Sequence, residues 1–262
     1  MAGAPLAGVL IALFSAPTVL WLNAASFVVS AVLILFAVPK AEATEEAEGE
    51  GDGYFAELVE GLRFIRADRL IRTLIIVVMI TNFLDGPLFA IFIPVYARDV
   101  LDSSVALGVI IGVFGAFALM GGVFFGAVGH RLPRRATFVT GFLILGGAMV
   151  AFALLPPLWV IVPVMAIAGL AVGPINPLMK TISYERIPEE MRGRVFGAAT
   201  AGSFVAMPAG MLLAGYGVEW FGLGKALAGV AVAYVAVGIV IAINRELRTM
   251  DPVGEVASAP NS

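Results

Sequence analysis

Residues 105–128 read VALGVIIGVFGAFALMGGVFFGAV, a run without a charge, an amide or a hydroxyl. The hydrocarbon core of a bilayer is about 30 Å thick and needs roughly 20 apolar residues per helix. This segment meets that requirement alone. Lipid offers no hydrogen-bond partners, so the backbone within it must satisfy itself, as a helix does. The stretch therefore predicts a membrane-spanning helix, and its repetition along the chain decides the fold. Working outward, comparable runs occupy Thr73–Tyr96 and Pro17–Val38 on one side. Ala136–Leu155, Leu158–Met179, Phe196–Gly217 and Leu223–Ile243 follow on the other. A shorter apolar piece, Pro5–Phe14, cannot cross alone and is expected to be the latter half of a helix. A signal peptide is the rival reading, but no basic residue precedes Pro5. The expectation is an all-α integral membrane protein whose first partner is the lipid bilayer.

Composition agrees. Hydrophobic residues make up 60% of the 262 positions and charged ones 13%, against about 45–50% and 25% in soluble domains. Mean hydropathy is +1.00. A net charge of -3 without a large basic cluster argues against nucleic acid. With no cysteine there is no disulfide framework, thiolate nucleophile or cysteine-based metal site. One histidine and no convergent carboxylate pair leave no catalytic constellation, so neither an enzyme, a metal nor a cofactor is expected. No Walker-type phosphate loop occurs, which disfavours ATP-driven chemistry within this chain.

Between Val38 and Thr73 the character changes. Ala41–Gly53 (AEATEEAEGEGDG) is acidic and glycine-containing, the composition of a solvated linker. Tyr54–Leu70 then places Phe55, Leu58, Leu62 and Ile65 at helical spacing, flanked by Arg63, Arg66 and Arg69. That pattern predicts an amphipathic helix on a membrane surface, with a solvated loop helix as the alternative. Assigning the loops alternately to two sides leaves only Arg98 and Lys225 of the 16 basic residues on one of them. The positive-inside rule makes the other side cytoplasmic, together with the linker and the C-terminus, in the inner cell membrane. Trp21, Tyr96, Trp159, Tyr216 and Trp220 then fall near the outer boundary, where an aromatic belt is expected.

The loop after residue 125 reads Gly126-Ala127-Val128-Gly129-His130-Arg131-Leu132-Pro133-Arg134-Arg135. A short turn dense in guanidinium groups can pair with helix C-termini and with nearby carboxylates. It resembles the signature loop of the major facilitator superfamily, roughly G-x-x-x-D-R-x-G-R-R, with His130 and Pro133 in place of the usual Asp and Gly. Residues 185–196, ERIPEEMRGRVF, resemble the E-x-x-P-x-x-x-R-G-R-v-f loop of that superfamily's bacterial drug and macrolide exporters. Leu22-Asn23-Ala24-Ala25-Ser26-Phe27 is similar to their sixth-helix L-N-A-x-S-F element. Gly3-Ala4-Pro5-Leu6-Ala7-Gly8 looks like the end of their fifth-helix antiporter motif.

The resemblance implies residues 1–38 as a remnant of the N-terminal half, holding part of the fifth helix and the sixth. Residues 39–70 become a cytoplasmic linker with an amphipathic helix, 71–246 the C-terminal six-helix bundle, and 247–262 a disordered cytoplasmic tail. It implies a secondary active transporter, proton-coupled and exporting a small amphipathic substrate, with Gly126, His130, Arg131, Arg134 and Arg135 as a cytoplasmic gating loop. A separate N-terminal half or a second copy would complete it; a non-transporting membrane subunit is the alternative.

A charge at bilayer depth costs at least about 2.5–3.5 kcal/mol, so it faces protein or water. Asp85 lies near the middle of its span, with Asn82 one turn before, Phe89 one turn after, and a kink-forming Gly86-Pro87 directly following. These three residues are expected to face a central cavity, with Asp85 taking a proton or a cationic substrate. A purely structural carboxylate remains the alternative. Asn176 sits between Pro174 and Pro177, the pattern of a broken helix with polar groups available. Lys180 is expected to snorkel to the cytoplasmic boundary. Small residues at Ala198, Gly202, Ala206, Gly210 and Ala214, and the pairs Gly108/Gly112, Gly122/Gly126 and Gly169/Gly173, predict close helix seams.

Overall fold

The computed structural model describes residues 16–37 and 52–250. The chain divides into two compact units, residues 1–56 and 57–262. Helix α1 (Ala16–Ala37) belongs to the first, where Ser26 Oγ donates to the Asn23 carbonyl at 2.7 Å. Pro5–Phe14 and most of Ala41–Gly53 lie outside the described residues. Helix α2 (Asp52–Ala67) takes up Asp52 and Gly53. Six helices of the second unit are long and apolar enough to cross a membrane. They are α3 (Arg69–Asp99), α4 (Ser104–Val128), α5 (Arg134–Ala153), α6 (Leu158–Arg186), α7 (Glu189–Phe221) and α8 (Leu223–Ile243). Among the described residues no strand occurs.

Capping explains why α3 and α7 start before their apolar runs. Asp68 accepts a hydrogen bond from the Ile71 amide at 3.0 Å, so the helix absorbs Arg69 and Arg72. Pro188 precedes α7, and Glu189 and Glu190 occupy its first turn, where negative charge suits the positive end of the helix dipole. Gly222, with φ of 81°, supplies the left-handed residue that turns the chain from α7 into α8.

The bundle is held mainly by α3 against α7, α4 against α6, and α5 against α8. Two of these seams share a device. Proline has no N–H, so the carbonyl four residues before it loses its helical donor. Pro87 in this way bares the Phe83 carbonyl, and Gly210 of α7 packs directly on that oxygen. Pro174 and Pro177 bare the carbonyls of Leu170 and Gly173, against which Gly121 and Gly122 of α4 are set. Gly202 and Gly210 of the small-residue ladder thus face α3, Gly202 against Met79. The other pairs divide. Gly169 and Gly173 touch the Phe114 and Ala118 carbonyls of α4, whereas nothing lies within 4 Å of where a Cβ on Gly108, Gly112 or Gly126 would stand. The seam of α4 forms at Gly121 and Gly122 because the bared carbonyls of α6 lie at that level.

Past Pro87, α3 widens into a π turn over Leu88–Phe92, closed by the Ile93 amide donating to the Leu88 carbonyl, and resumes as α-helix from Ile93 to Asp99. Two further expectations are corrected. Tyr96 is fully buried rather than part of a belt: its hydroxyl donates to the Pro156 carbonyl and its ring meets Phe152 edge-on at 4.9 Å. A phenol with a carbonyl partner can leave the interface. Residues 247–250 are not disordered, because Glu246–Met250 form a 3-10 turn whose Leu247 and Met250 are buried beside Leu70 and Phe138.

Of the amphipathic stripe on α2, Ile65 is buried and Leu58 partly so, against Ile71, Ile187, Val195 and Ala198, while Leu62 stays exposed. Gly61 lies on the Arg194 carbonyl, and the Arg194 side chain reaches Glu60 at 2.5 Å and Glu57 at 3.5 Å. Two of the three described side chains of that stripe therefore rest on the bundle.

Candidate functional site

The basic ends of α3, α6 and α7 enclose a cavity of about 440 Å³. Its polar lining is Asn82 from α3, Asn176, Lys180 and Ser183 from α6, and Thr200 and Ser203 from α7. Helical periodicity puts them there: 176, 180 and 183 fall at i, i+4 and i+7, and 200 and 203 at i and i+3, each set on one face. Val78, Met179, Phe196, Phe204 and Met207 supply apolar wall between them. Ser203 donates to the Ala199 carbonyl at 3.0 Å, which leaves its oxygen as an acceptor. Among the described residues, the side chains of Asn82, Asn176, Lys180, Ser183 and Thr200 have no hydrogen-bond or ion-pair partner. At 1.5 Å per residue, Asn82 stands about 20 Å from the start of α3 and Asn176 about 15 Å from the end of α6. The cavity thus reaches from one end of the bundle toward its middle. It is concave, mostly apolar and carries a few unengaged polar groups, which are the attributes of a small-molecule site.

Of the expected site residues, Asn82 and Asn176 meet in this cavity and Asp85 and Phe89 do not line it. Asp85 turns to α8, where the buried Tyr234 donates its hydroxyl to Oδ1. Phe89 meets Phe114 of α4 at 5.2 Å with the two rings tilted by 56°. The helical step from 82 to 85 is short enough to share a broad face but separates the two side chains between different neighbours. Lys180, exposed at the basic end, also lines the cavity, as do Ser183, Thr200 and Ser203, which sequence reasoning left aside. Tyr234 was also missed, since nothing in AVAYVAVG marks it as a carboxylate's partner.

Beyond the point where Gly210 meets Phe83, a second cavity of about 230 Å³ opens between α3, α7 and α8, lined by Pro87, Phe92, Leu213, Gly217, Ala226 and Val230 among others. It is almost wholly apolar.

The arginine loop sits at the basic end and ties three helices together. Arg134 grips Glu185 of α6 through both guanidinium nitrogens, at 2.5 and 2.8 Å, and reaches the Met250 carbonyl at 3.4 Å. Arg135 donates to the Ala242 carbonyl in the last turn of α8 at 2.7 Å, a cation against the negative helix end. Gly129–Arg131 form a 3-10 turn; the His130 side chain lies outside the described ones, and Arg131 is exposed. Nearby, Arg186 reaches Asp68 at 3.5 Å and the Thr249 carbonyl at 2.9 Å. Arg192 lies over the Tyr184 ring at 5.0 Å. Among the described residues no group of three His, Asp or Glu side chains could hold a metal ion.

Comparison with known proteins matches residues 1–211 and 103–259 to the model of the Major Facilitator Superfamily. The multidrug efflux pump Tap of Mycobacterium tuberculosis is 32% identical over 254 residues, covering 95% of this chain and 59% of the relative. The pump of the same name from Mycolicibacterium fortuitum is 28% identical over 95% of this chain and 61% of its own length. Macrolide efflux protein A of Streptococcus pyogenes is 24% identical over 76% of this chain and 49% of its own. No solved structure matches. The chain thus spans about three-fifths of the length of the Tap relatives.

Proposed function

The chain belongs to the Major Facilitator Superfamily, and from that premise we propose that it forms the C-terminal part of a proton-coupled secondary transporter that exports small amphipathic compounds. The observation that carries the reading is the cavity between α3, α6 and α7, with five unengaged polar side chains set in apolar wall. Multidrug and macrolide efflux among the relatives supports the direction and the substrate class.

Asp85 is the proposed proton site. A carboxylate can only accept from Tyr234, whereas a carboxylic acid can also donate. Loading and releasing a proton therefore rewrites a hydrogen bond that joins the middle of α3 to α8. The basic end is the cytoplasmic side of the inner membrane, and the Arg134–Glu185 and Arg135–Ala242 contacts are the gate that alternating access would remake. Since such transporters rock two six-helix halves around a midplane site, helices on the same or a separate polypeptide, or in a second copy, complete the cycle.

The test is accumulation of Nile red, a neutral amphipathic dye, in cells expressing this chain together with a major facilitator N-terminal half. Expression should lower accumulation, and a protonophore or Asp85→Asn should restore it. Accumulation equal to that of vector controls would reject transport and favour a non-transporting membrane subunit.

A further inference from the structure

The geometry points to an anion-selective pocket: the cavity between α3, α6 and α7 takes amphipathic compounds with an apolar body and a single negatively charged head, held by Lys180. This rests on the reading of that cavity as the substrate site, and it specifies what the site accepts. Among the described residues, Lys180 is the one charged residue in the lining, and no carboxylate lines the cavity. The two acids nearest in sequence or function are engaged elsewhere. Glu185 is clamped by Arg134. Asp85 is held by Tyr234 outside the cavity.

An ammonium carries three donors and no acceptor, so the group it recognises must be an acceptor. Asn176 and Ser183 flank Lys180 on the same helical face, and Asn82 and Thr200 approach from the neighbouring helices, none with a protein partner. Together they add donors to the lining that holds this one cation. A carboxylate, sulfonate or phosphate monoester would satisfy it. A cationic amphipath would bring a second positive charge beside Lys180 with no counter-charge in the lining. A carboxylate received by such donors gains roughly ten- to a hundredfold in affinity over a neutral isostere. The head could belong to a soluble acid or to an anionic lipid.

Binding of three radiolabelled probes that share one apolar body, naphthylacetate, naphthylethanol and naphthylethylammonium, is measured by equilibrium dialysis. The full chain is used in phosphatidylcholine nanodiscs. Naphthylacetate should bind at least about tenfold more tightly than naphthylethylammonium. Lys180→Arg should keep that order, Lys180→Gln should erase it while retaining naphthylethanol, and Lys180→Glu should invert it. Retained naphthylethanol binding also reports that the variants are folded. Adding phosphatidylglycerol to the nanodiscs assigns the source: suppression of naphthylacetate binding identifies the lipid headgroup, and unchanged binding identifies a soluble acid. Equal binding of anion and cation, or a preference unmoved by Lys180→Gln, overturns the charge selectivity and leaves the pocket standing. Failure of all three probes to bind, or binding of naphthylethanol that survives filling the cavity with Ser203→Trp, overturns the pocket reading and this inference with it.

Discussion

Gly210→Ala tests the packing of the bundle at its tightest point. A Cβ built at that position would overlap the Phe83 carbonyl oxygen and stand 2.9 Å from its carbon and 3.2 Å from the Phe83 Cα. All three atoms are backbone, so no side chain can rotate aside; α3 and α7 have to separate. Overpacking of this kind costs typically about 1–3 kcal/mol. Within a helix, alanine returns about 1 kcal/mol of the conformational entropy that glycine loses. Gly215→Ala is the control, for it lies in the same helix with nothing within 4 Å of its Cβ position. It keeps the helical gain without the clash. The two variants should therefore differ by about 1–3 kcal/mol, with Gly210→Ala the weaker. Fraction folded in a dodecyl sulfate titration, read by circular dichroism, gives the difference. Equal midpoints for the two variants would refute a glycine–carbonyl seam between α3 and α7.

Tyr234→Phe removes the donor that Asp85 uses and should cost about 1–3 kcal/mol in the same titration, the penalty of leaving a buried polar group without its partner; a variant as stable as the parent would dissolve the Asp85–Tyr234 link. A double-mutant cycle of Arg134→Ala and Glu185→Ala should yield a coupling energy of up to about 1 kcal/mol, because Glu185 is half exposed and solvent screens the pair. Zero coupling would mean that the loop is not tied to α6 by this contact.

Hydropathy located every one of the six spans because the demand for apolar length is local. It put Arg69 and Leu70 in the amphipathic helix and missed Ile71–Arg72 and Glu189–Val195 as parts of the spans, since charged first turns are dictated by caps and dipoles rather than by lipid. The cavity was half legible. Asn82 and Asn176 stood out as amides in apolar helices, but Lys180, Ser183, Thr200 and Ser203 each have an innocuous local reading, and only their shared helical face ties them together. Asp85 was recognised as costly at its depth, yet its partner is on α8, 149 residues away. Nothing within one helix reveals which neighbour answers a buried charge. Tyr96 failed for the same reason: its ring sits at a boundary in sequence and its hydroxyl finds a carbonyl 60 residues later.

The two cavities lie end to end along α3 and α7, the larger beside residues 71–82 and 195–207, the smaller beside 83–92 and 210–217. What divides them is Gly210 on the Phe83 carbonyl and, beside it, Met207 and Met211 of α7 over Gly86 of α3. The only side chains in that partition, among the described residues, are two flexible methionines, so a small withdrawal of α7 from α3 with a turn of those thioethers would fuse two dead ends into one corridor, polar at its entrance and oily at its exit.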